Sequence, residues 1–287
     1  YAAVLRKHVM PLPLMQKKMT AFESGDARGL YGYLCKEGVS PSVRSKIHVA
    51  LHAAFETAVR SDVIGRNPFA YLSPKYEPST MRAFTKDQAR RFLEAARGDP
   101  LEALFVLAIS TGARQGELLA LRWEDVDLSN RSIAVRRNLS EVRGKLTVIT
   151  PKAAGSRRNI ALGDLAVRAL RQRQRIAKRE GHGSVYVFTT ESGALIRKSN
   201  LRRRTYLPLL KKAKVPQIRF HDLRHSAATL ALGANIHPKV VAEMLGHSRV
   251  GVTLQTYSHA LPGMQAAAAD TLSDLLDEQK TRGGRRR

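Results

Sequence analysis

The amino-acid sequence predicts a mainly α-helical protein with one small antiparallel β-sheet, arranged in two domains. Most apolar residues recur at the 3.6-residue spacing of helices, whereas residues 131–162 switch to a spacing of two. A stretch with two prolines and no periodicity, residues 74–83, separates the first helices from the rest and is interpreted as a linker. A length of 287 residues also fits two domains.

The first predicted domain, residues 1–76, is helical. Its clearest helix follows Ser42, and Asn67-Pro68 marks the end of the helical region after it. The apolar side of this helix carries Val43, Ile47, Ala50, Leu51, Ala54, Phe55 and Ala58. Its polar side carries Arg44, Lys46 and His48, which are either solvated or available to a polyanion.

The second predicted domain, residues 77–287, combines helices with the small sheet. Thr85 and Gln88 have the spacing of a capping box, and the apolar segment 101–109 predicts a buried helix that Gly112 ends. The predicted strands carry Ile133 and Val135, then Leu146 and Val148, then Ile160 and Leu162. A strongly basic helix over residues 201–214 contains Arg202, Arg203 and Arg204, which are either solvated or contact a nucleic-acid backbone.

The charge of the chain indicates a polyanionic partner. Forty-nine Lys and Arg against 24 Asp and Glu leave a net charge of +25, while 43% of residues are hydrophobic. A folded protein with this excess most often binds nucleic acid, although ribosomal and membrane-surface proteins are also basic. The single cysteine, Cys35, excludes an internal disulfide framework and fits a reducing cytoplasm. No apolar run reaches the roughly 18 residues of a transmembrane helix, so no membrane contact is expected.

The segment 219–259 concentrates residues that suit phosphate chemistry. It reads RFHDLRHSAATLALGANIHPKVVAEMLGHSRVGVTLQTYSHA and predicts three short helices. Gly233 ends the first helix, Pro238 opens the second, Gly246 ends it, and a third carries Tyr257. His221 and Arg224 are three residues apart and so share one side of the first helix.

The run HDLRHSAATL, followed by LGH and by TLQTY, resembles the tyrosine recombinases, the phage integrase family. The resemblance implies a helical N-terminal core-binding domain, which clamps DNA, and an α+β catalytic domain. It also implies that His221, Arg224, His247 and Tyr257 are active-site residues. Two more members are expected upstream: TGARQGE from Thr111 supplies Arg114, and TPKAAGSRR from Thr150 supplies Lys152 on a β-hairpin, with Lys145 as the alternative lysine.

Each of these side chains suits one part of a phosphodiester cleavage. Two arginines, Arg114 and Arg224, can hold the non-bridging oxygens, and His247 can add a donor. The remaining expected roles are attack by Tyr257, proton transfer by His221, acid catalysis by Lys152, and structural support by Glu117 and Asp222. The resemblance implies a 3′-phosphotyrosyl intermediate that needs neither ATP nor a metal.

Other histidines receive a structural interpretation. His221 and His225 have a spacing that can suit zinc, but the intervening Arg224 disfavours a cation and no HExxH box is present. No metal site is therefore expected. His225 and His259 are interpreted as structural or phosphate-adjacent, and both stay outside the predicted catalytic set.

The expected function is site-specific DNA recombination by an integrase of a phage or mobile element. The alternatives are a type IB topoisomerase, a recombinase that resolves chromosome dimers, and an inactive copy that only binds DNA. The expected partners are double-stranded DNA at attachment-type sites, three further copies of the chain in a tetramer, and accessory directionality or DNA-bending proteins. The expected location is the cytoplasm of a bacterial or phage-infected cell, at the nucleoid.

Both ends of the chain carry expectations of their own. The sequence opens on Tyr1 rather than Met, so a small arm-binding domain is expected upstream, as in the integrases it resembles. Residues 264–276 predict an amphipathic helix with apolar residues at helical spacing. That helix packs either on its own catalytic domain or on a neighbouring protomer. The basic end, KTRGGRRR, is too polar to pack.

Overall fold

The structure is a computed structural model. It describes residues 1–72, 82–142, 144–150 and 157–257, together with residues 269, 270, 272, 273 and 276. The chain divides into two compact units, Tyr1–Thr80 and Met81–Arg287. The boundary predicted after residue 76 lies outside the described residues. Among the described residues, no helix has the length and apolarity needed to cross a membrane.

The first unit is a small helical assembly around an aromatic core. Its helices are α1 (Ala2–His8), α2 (Ser24–Lys36) and α3 (Pro41–Arg60), with short 3₁₀ turns at Pro13–Gln16 and Met19–Ala21. The rings of Phe22, Phe55 and Phe69 meet in the core, with the Phe22 and Phe55 centroids 5.0 Å apart. The predicted helix after Ser42 is confirmed as α3, whose buried side carries Ile47, Leu51, Phe55 and Ala58.

The second unit is built around one helix that is buried on every side. Helix α5 (Glu102–Thr111) has eight buried residues and contacts α4 (Lys86–Ala95), α6 (Gln115–Leu119), α7 (Asp164–Glu180) and α10 (Asp222–Gly233). The predicted capping box is present at α4, where Thr85 Oγ1 accepts from the Gln88 amide and Gln88 Oε1 accepts from the Thr85 amide. The predicted buried helix before Gly112 is confirmed as α5.

The predicted β region is present, but its strands form two sheets rather than one. Strands β1 (Val126–Asp127), β2 (Ser132–Val135) and β5 (Arg158–Ala161) form an antiparallel sheet in the order β1-β2-β5. Strands β3 (Asn138–Val142) and β4 (Lys145–Ile149) form a separate hairpin. After Val135, Arg137 pairs with the buried carboxylate of Asp125, 2.6 Å away. The predicted small antiparallel β region is therefore confirmed, and its described strands are divided between two sheets.

Helices complete the second unit. The basic stretch predicted over 201–214 is helical as far as Lys212. It consists of a π-helical segment (Leu201–Tyr206) and α9 (Leu207–Lys212), and the short α8 (Lys198–Asn200) directly precedes it. The three predicted short helices are confirmed as α10, α11 (Pro238–Leu245) and α12 (Val250–Tyr257). The predicted helix over 264–276 lies almost wholly outside the described residues.

Candidate active site

Gly112, in the left-handed backbone conformation, ends α5 two residues before Arg114, the first predicted arginine. Helix α5 ends at Gly112, whose φ of 61° is a conformation that side-chain-bearing residues rarely adopt. A Cβ atom at this position would lie 2.5 Å from the side chain of Leu245 in α11. Glycine therefore lets the turn press against α11 and α10. Arg114 follows as the residue that precedes α6, with its side chain partly exposed.

Glu117 holds two arginines from a buried position. Its side chain is 3% exposed and accepts from Arg114 Nη1 at 2.8 Å and from Arg158 Nη2 at 2.9 Å. It also accepts from the backbone amide of Arg114 at 2.9 Å. Burial raises the pKa of Glu117, but the hydrogen bond and charge of Arg158 and the hydrogen bonds of Arg114 outweigh that effect and hold the pKa below its ordinary value. Glu117 is therefore an anion paired with both arginines, and its support role in the reaction stays a prediction.

Arg158 links three parts of the site, and the sequence did not single it out. Its side chain is 8% exposed, with Nη2 on Glu117 and Nε donating to the backbone carbonyl oxygen of Met244 at 2.8 Å. A Cβ atom at Gly246 would lie 2.8 Å from Arg158 Nη1, and Gly246 has a φ of 71°. The first residue of β5 thus ties the Arg114 turn to the loop that follows α11. The only local signal was its place at the end of SRR, after the predicted lysine.

Arg224 is the most deeply buried of the predicted phosphate ligands. The residue is 4% exposed, and Nη1 donates to the Gly112 carbonyl oxygen at 2.8 Å. Its Nη2 is buried and has no hydrogen-bond partner among the described residues. Burial, and then the nearby charge of Arg114, lower the pKa of Arg224 to about 10, which still leaves it charged at neutral pH. An unpaired donor on a buried cation is costly unless an anion binds there.

His247 directly follows the left-handed Gly246 at the end of α11. Its amide donates to the Ala242 carbonyl oxygen at 3.0 Å, and its Nδ1 lies 2.8 Å from the hydroxyl of Thr253, a fully buried residue of α12. Burial, followed by the charges of Arg224, Arg114 and Arg158, lowers the pKa of His247 to about 4. The imidazole is therefore neutral at pH 7 and belongs to the same electrostatic cluster as the arginines.

Tyr257 lies at the end of α12 with its hydroxyl inside the protein. The residue is 1% exposed, and the hydroxyl lies 2.8 Å from Nδ1 of His225 in α10. Burial raises the pKa of Tyr257, while the charge of Arg224 lowers it in part. The hydroxyl therefore pairs with His225, which the sequence analysis did not include in the predicted catalytic set. The sequence signal for His225 was its place directly after Arg224 in HDLRHS.

His221, the predicted base, lies four residues before His225, directly ahead of α10. It precedes the first residue of the helix and is exposed, and its ring meets that of His225 edge-on with centroids 5.1 Å apart. Asp222 beside it is buried and accepts from the Arg219 amide at 2.8 Å and from its guanidinium at 2.9 Å. Asp222 is thus paired with Arg219 at the start of α10, and its structural role stays a prediction.

The predicted lysine is not among these contacts. Lys152 lies outside the described residues, between β4 and β5 in the chain. Lys145, the alternative, is exposed at the start of β4 and pairs with Val142 across the β3–β4 hairpin.

The predicted DNA-binding residues differ in their surroundings. Arg202, Arg203 and Arg204 are exposed on the π-helical segment. In the first unit Lys46 is exposed on α3, while His48 Nδ1 lies 2.7 Å from the Tyr31 hydroxyl. Arg44 has a buried Nε without a hydrogen-bond partner among the described residues.

The described residues contain no group of three or more His, Cys, Asp or Glu side chains able to hold a metal ion. His221 and His225 are adjacent, but their charged neighbours are Arg219, Arg224 and the single carboxylate of Asp222. The arginines, His247 and the Tyr257 phenol suit an anionic ester, and the Glu117 carboxylate is already engaged by Arg114 and Arg158.

Two buried or braced arginines, a neutral histidine and a buried tyrosine on this helical frame define the tyrosine recombinase class. The family model described as the phage integrase family matches residues 82–263. The chain therefore belongs to the phage integrase family. It is a site-specific DNA recombinase, an enzyme that cleaves and rejoins DNA strands.

Individual relatives agree with this placement. The chain is 32% identical over 303 residues to a XerC-like tyrosine recombinase of Caldanaerobacter subterraneus subsp. tengcongensis, covering 96% of this chain and 77% of that protein. It is 25% identical to the Tn1549 transposon integrase solved with transposon right end DNA, with a TM-score of 0.78 over 95% of this chain and 93% of the other. A λ integrase tetramer bound to a Holliday junction shares the fold at 20% identity, with a TM-score of 0.65 over 89% and 69% of the two chains.

Proposed function

We propose that Arg114, Arg224 and His247 bind one scissile phosphate of double-stranded DNA and that Tyr257 attacks its phosphorus. The observation that carries this proposal is the buried Nη2 of Arg224, which lacks a hydrogen-bond partner among the described residues in the same cluster as the Tyr257 hydroxyl. A phosphate oxygen supplies the missing acceptor. The attack builds negative charge on the oxygens that these donors hold, so they stabilise the transition state.

The neutral state of His247 fits the part of a hydrogen-bond donor. If the Thr253 hydroxyl donates to Nδ1, the imidazole proton is on Nε2 and points away from that contact. Nε2–H then donates to a phosphate oxygen. Glu117 neutralises part of the positive charge and keeps the Arg114 guanidinium in one orientation.

Cleavage leaves the phosphorus esterified to Tyr257 and releases a 5′-hydroxyl. Lys152 is the proposed acid for that leaving oxygen, and His221 is a proposed proton relay at the edge of the site. The energy of the broken bond is retained in the phosphotyrosyl ester. Attack by the 5′-hydroxyl of another strand reverses the chemistry and rejoins the DNA, so no nucleotide or metal is required.

The proposed setting is the integrase of a mobile genetic element. The likeness to a transposon integrase solved with transposon-end DNA supports this subtype. Four protomers on two attachment-type sites are the proposed assembly, in line with the λ integrase tetramer on a Holliday junction, which has the same fold. Accessory proteins that bend DNA or set direction belong to the same proposal. Since the substrate is DNA, the proposed location is the nucleoid in the cytoplasm.

Exposed and partly exposed basic residues provide the proposed DNA backbone contacts. Arg202, Arg203 and Arg204 present guanidinium groups to solvent in the catalytic unit. Arg44 and Lys46 are the proposed contacts in the first unit. His48 is the third proposed contact there, with its Nδ1 engaged by the Tyr31 hydroxyl.

The experiment that tests this proposal is covalent trapping on a nicked suicide substrate. Tyr257→Phe removes the nucleophilic oxygen while keeping the ring that α10 packs against. We expect this variant to bind DNA but to form no adduct on a denaturing gel. Tyr71→Phe is the matched control, because Tyr71 is fully exposed. An adduct at the wild-type level with Tyr257→Phe would assign the nucleophile to another residue.

A further inference from the structure

The Tyr257 hydroxyl has one close polar neighbour among the described residues, and it is a histidine to which the proposed mechanism gives no task. His225 Nδ1 lies 2.8 Å from this oxygen, and the two ring centroids lie 5.7 Å apart with a tilt of 54°. Because Tyr257 is 1% exposed, bulk water has little access to the hydroxyl. A proton that leaves this oxygen needs an acceptor inside the protein.

Helix α10 directs two neighbouring side chains to two parts of the reaction. Consecutive residues of a helix point about 100° apart, so Arg224 and His225 occupy adjacent sides of α10. Arg224 reaches the Gly112 carbonyl oxygen, and His225 reaches α12. Helix α10 therefore positions both Arg224, the proposed phosphate ligand, and His225, the partner of the tyrosine.

We propose that Nδ1 of His225 accepts the Tyr257 proton during strand cleavage and returns it during rejoining. This assignment rests on the proposed function, in which Tyr257 is the nucleophile. In cleavage, the tyrosine O–H bond breaks and an N–H bond forms on Nδ1. The phenolic oxygen forms the new P–O bond, the bond from phosphorus to the 5′-oxygen breaks, and that oxygen takes its proton from the acid on the other side. Rejoining reverses each of these changes.

The surroundings of His225 keep it ready to accept. It faces His221, Asp222, Arg219 and Arg224 from α10 and its approach, Tyr257 from α12, and His247 from the loop after α11. Burial, followed by the neighbouring His221, lowers the pKa of His225 to about 4. The ring is therefore neutral at pH 7, with a lone pair free on Nδ1 when the proton is on Nε2.

DNA binding strengthens this base. The charge of Arg224 lowers the pKa of His225, and a bound phosphate neutralises part of that charge. Proton transfer in the free enzyme is unfavourable, because burial also raises the pKa of Tyr257. The transfer thus becomes favourable only as the new P–O bond forms on a bound phosphate. This order keeps the tyrosine protonated until a substrate is present.

The test measures single-turnover cleavage of a suicide substrate by His225→Asn. Asparagine places an amide close to the position of Nδ1 but cannot take up a proton near neutral pH. We expect cleavage to slow by about 10²- to 10⁴-fold, the usual contribution of a general base, with DNA binding unchanged. His237→Asn is the matched control, since His237 is an exposed helix cap whose amide contact asparagine also makes. A His225→Asn rate within about threefold of the wild type would overturn the proposal.

A second measurement separates proton transfer from simple positioning. A fluorinated tyrosine at position 257 has a lower phenol pKa and so depends less on a base. We expect it to recover part of the rate lost in His225→Asn; a purely structural defect would show no recovery, and that result would contradict the assignment.

The wild-type His225 protein carrying the fluorinated tyrosine provides an independent test if His225→Asn fails to fold. The rising limb of its pH–rate profile should lie at the same pH as with ordinary tyrosine, because this limb reports the deprotonation of His225 rather than of the phenol. A limb that moves to lower pH with the phenol would overturn the proposal. Adduct formation by Tyr257→Phe would instead refute the proposed nucleophile, so the two failures are distinguishable.

Discussion

The buried and the exposed arginines of the catalytic unit differ in what determines their orientation. Arg158 and Arg224 have fixed acceptors on the backbone at 2.8 Å, and Arg158 also has the buried carboxylate of Glu117. Arg202, Arg203 and Arg204 are exposed, and none of them forms an ion pair with a described residue.

This contrast separates two uses of the same side chain. A buried guanidinium must be paired, so the fold determines its direction and allows it to stabilise charge at one point. An exposed guanidinium keeps its rotamer freedom and interacts with any phosphate through a screened field. Changes in the first group should therefore affect stability and cleavage, and changes in the second should affect salt-dependent affinity.

The largest expected effect is on folding, from Glu117→Gln. This change removes the charge between Arg114 and Arg158 while keeping the shape of the side chain. Removing one partner of a buried ion pair typically costs about 3–5 kcal/mol, because the other charge stays buried. Urea unfolding of the two proteins at pH 7 would measure the difference. Glu94→Gln is the control, since the Glu94 pair with Arg97 is exposed. Equal stability of Glu117→Gln and the wild type would contradict the bracing role.

The same substitution predicts how stability depends on pH. The pKa of Glu117 is lower in the folded protein than its ordinary value, because the arginines outweigh the effect of burial. Its contribution is therefore complete above the unfolded pKa of about 4.3 and is lost as the pH falls through the folded pKa. The stability gap between wild type and Glu117→Gln should narrow as the pH drops below about 4.3. A gap that stays constant down to pH 2 would argue against this linkage.

An intermediate effect is expected from Gly246→Ala. Alanine at a φ of 71° is strained by about 1–2 kcal/mol, and its Cβ would also lie 2.8 Å from Arg158 Nη1. The matched control is Gly98→Ala, which has a φ of 80° and no atom within 4 Å of the new Cβ. We expect Gly246→Ala to lose more stability than Gly98→Ala and to cleave more slowly at saturating DNA. Identical losses of stability in the two variants would mean that the Arg158 side chain moves aside without cost and that its position does not depend on this glycine.

The smallest expected effect comes from Arg202→Gln. The change removes one exposed charge, so affinity should fall modestly and the slope of log K against log salt should decrease by about 1. Cleavage at saturating DNA should not change. Gel shifts over a range of salt concentrations, with single-turnover cleavage beside them, would measure both quantities. A slower cleavage step at saturation would place Arg202 in the chemistry and remove the contrast with the buried arginines.

Local sequence patterns determined the helices and most of the candidate residues. The capping pair Thr85 and Gln88 is three residues apart, and the turns at Gly112 and Gly246 follow directly from the helices that they end. Such signals act within one helical turn, so the sequence contains them in full. The resemblance to tyrosine recombinases likewise depended on short motifs, which identified Arg114, Arg224, His247 and Tyr257 as candidates.

Tertiary packing alone decided which of these residues touch. His225 rather than His221 meets Tyr257 across 32 residues, Arg158 reaches Glu117 across 41, and Arg224 reaches Gly112 across 112. The pairing of the described strands in two sheets, and the contact of Arg137 with Asp125, are likewise features that alternation does not reveal. Periodicity reports which side of an element is apolar, whereas a hydrogen-bond partner depends on how distant elements pack. For that reason the sequence identified the helix that carries His225, but only the packed structure placed its imidazole against the tyrosine.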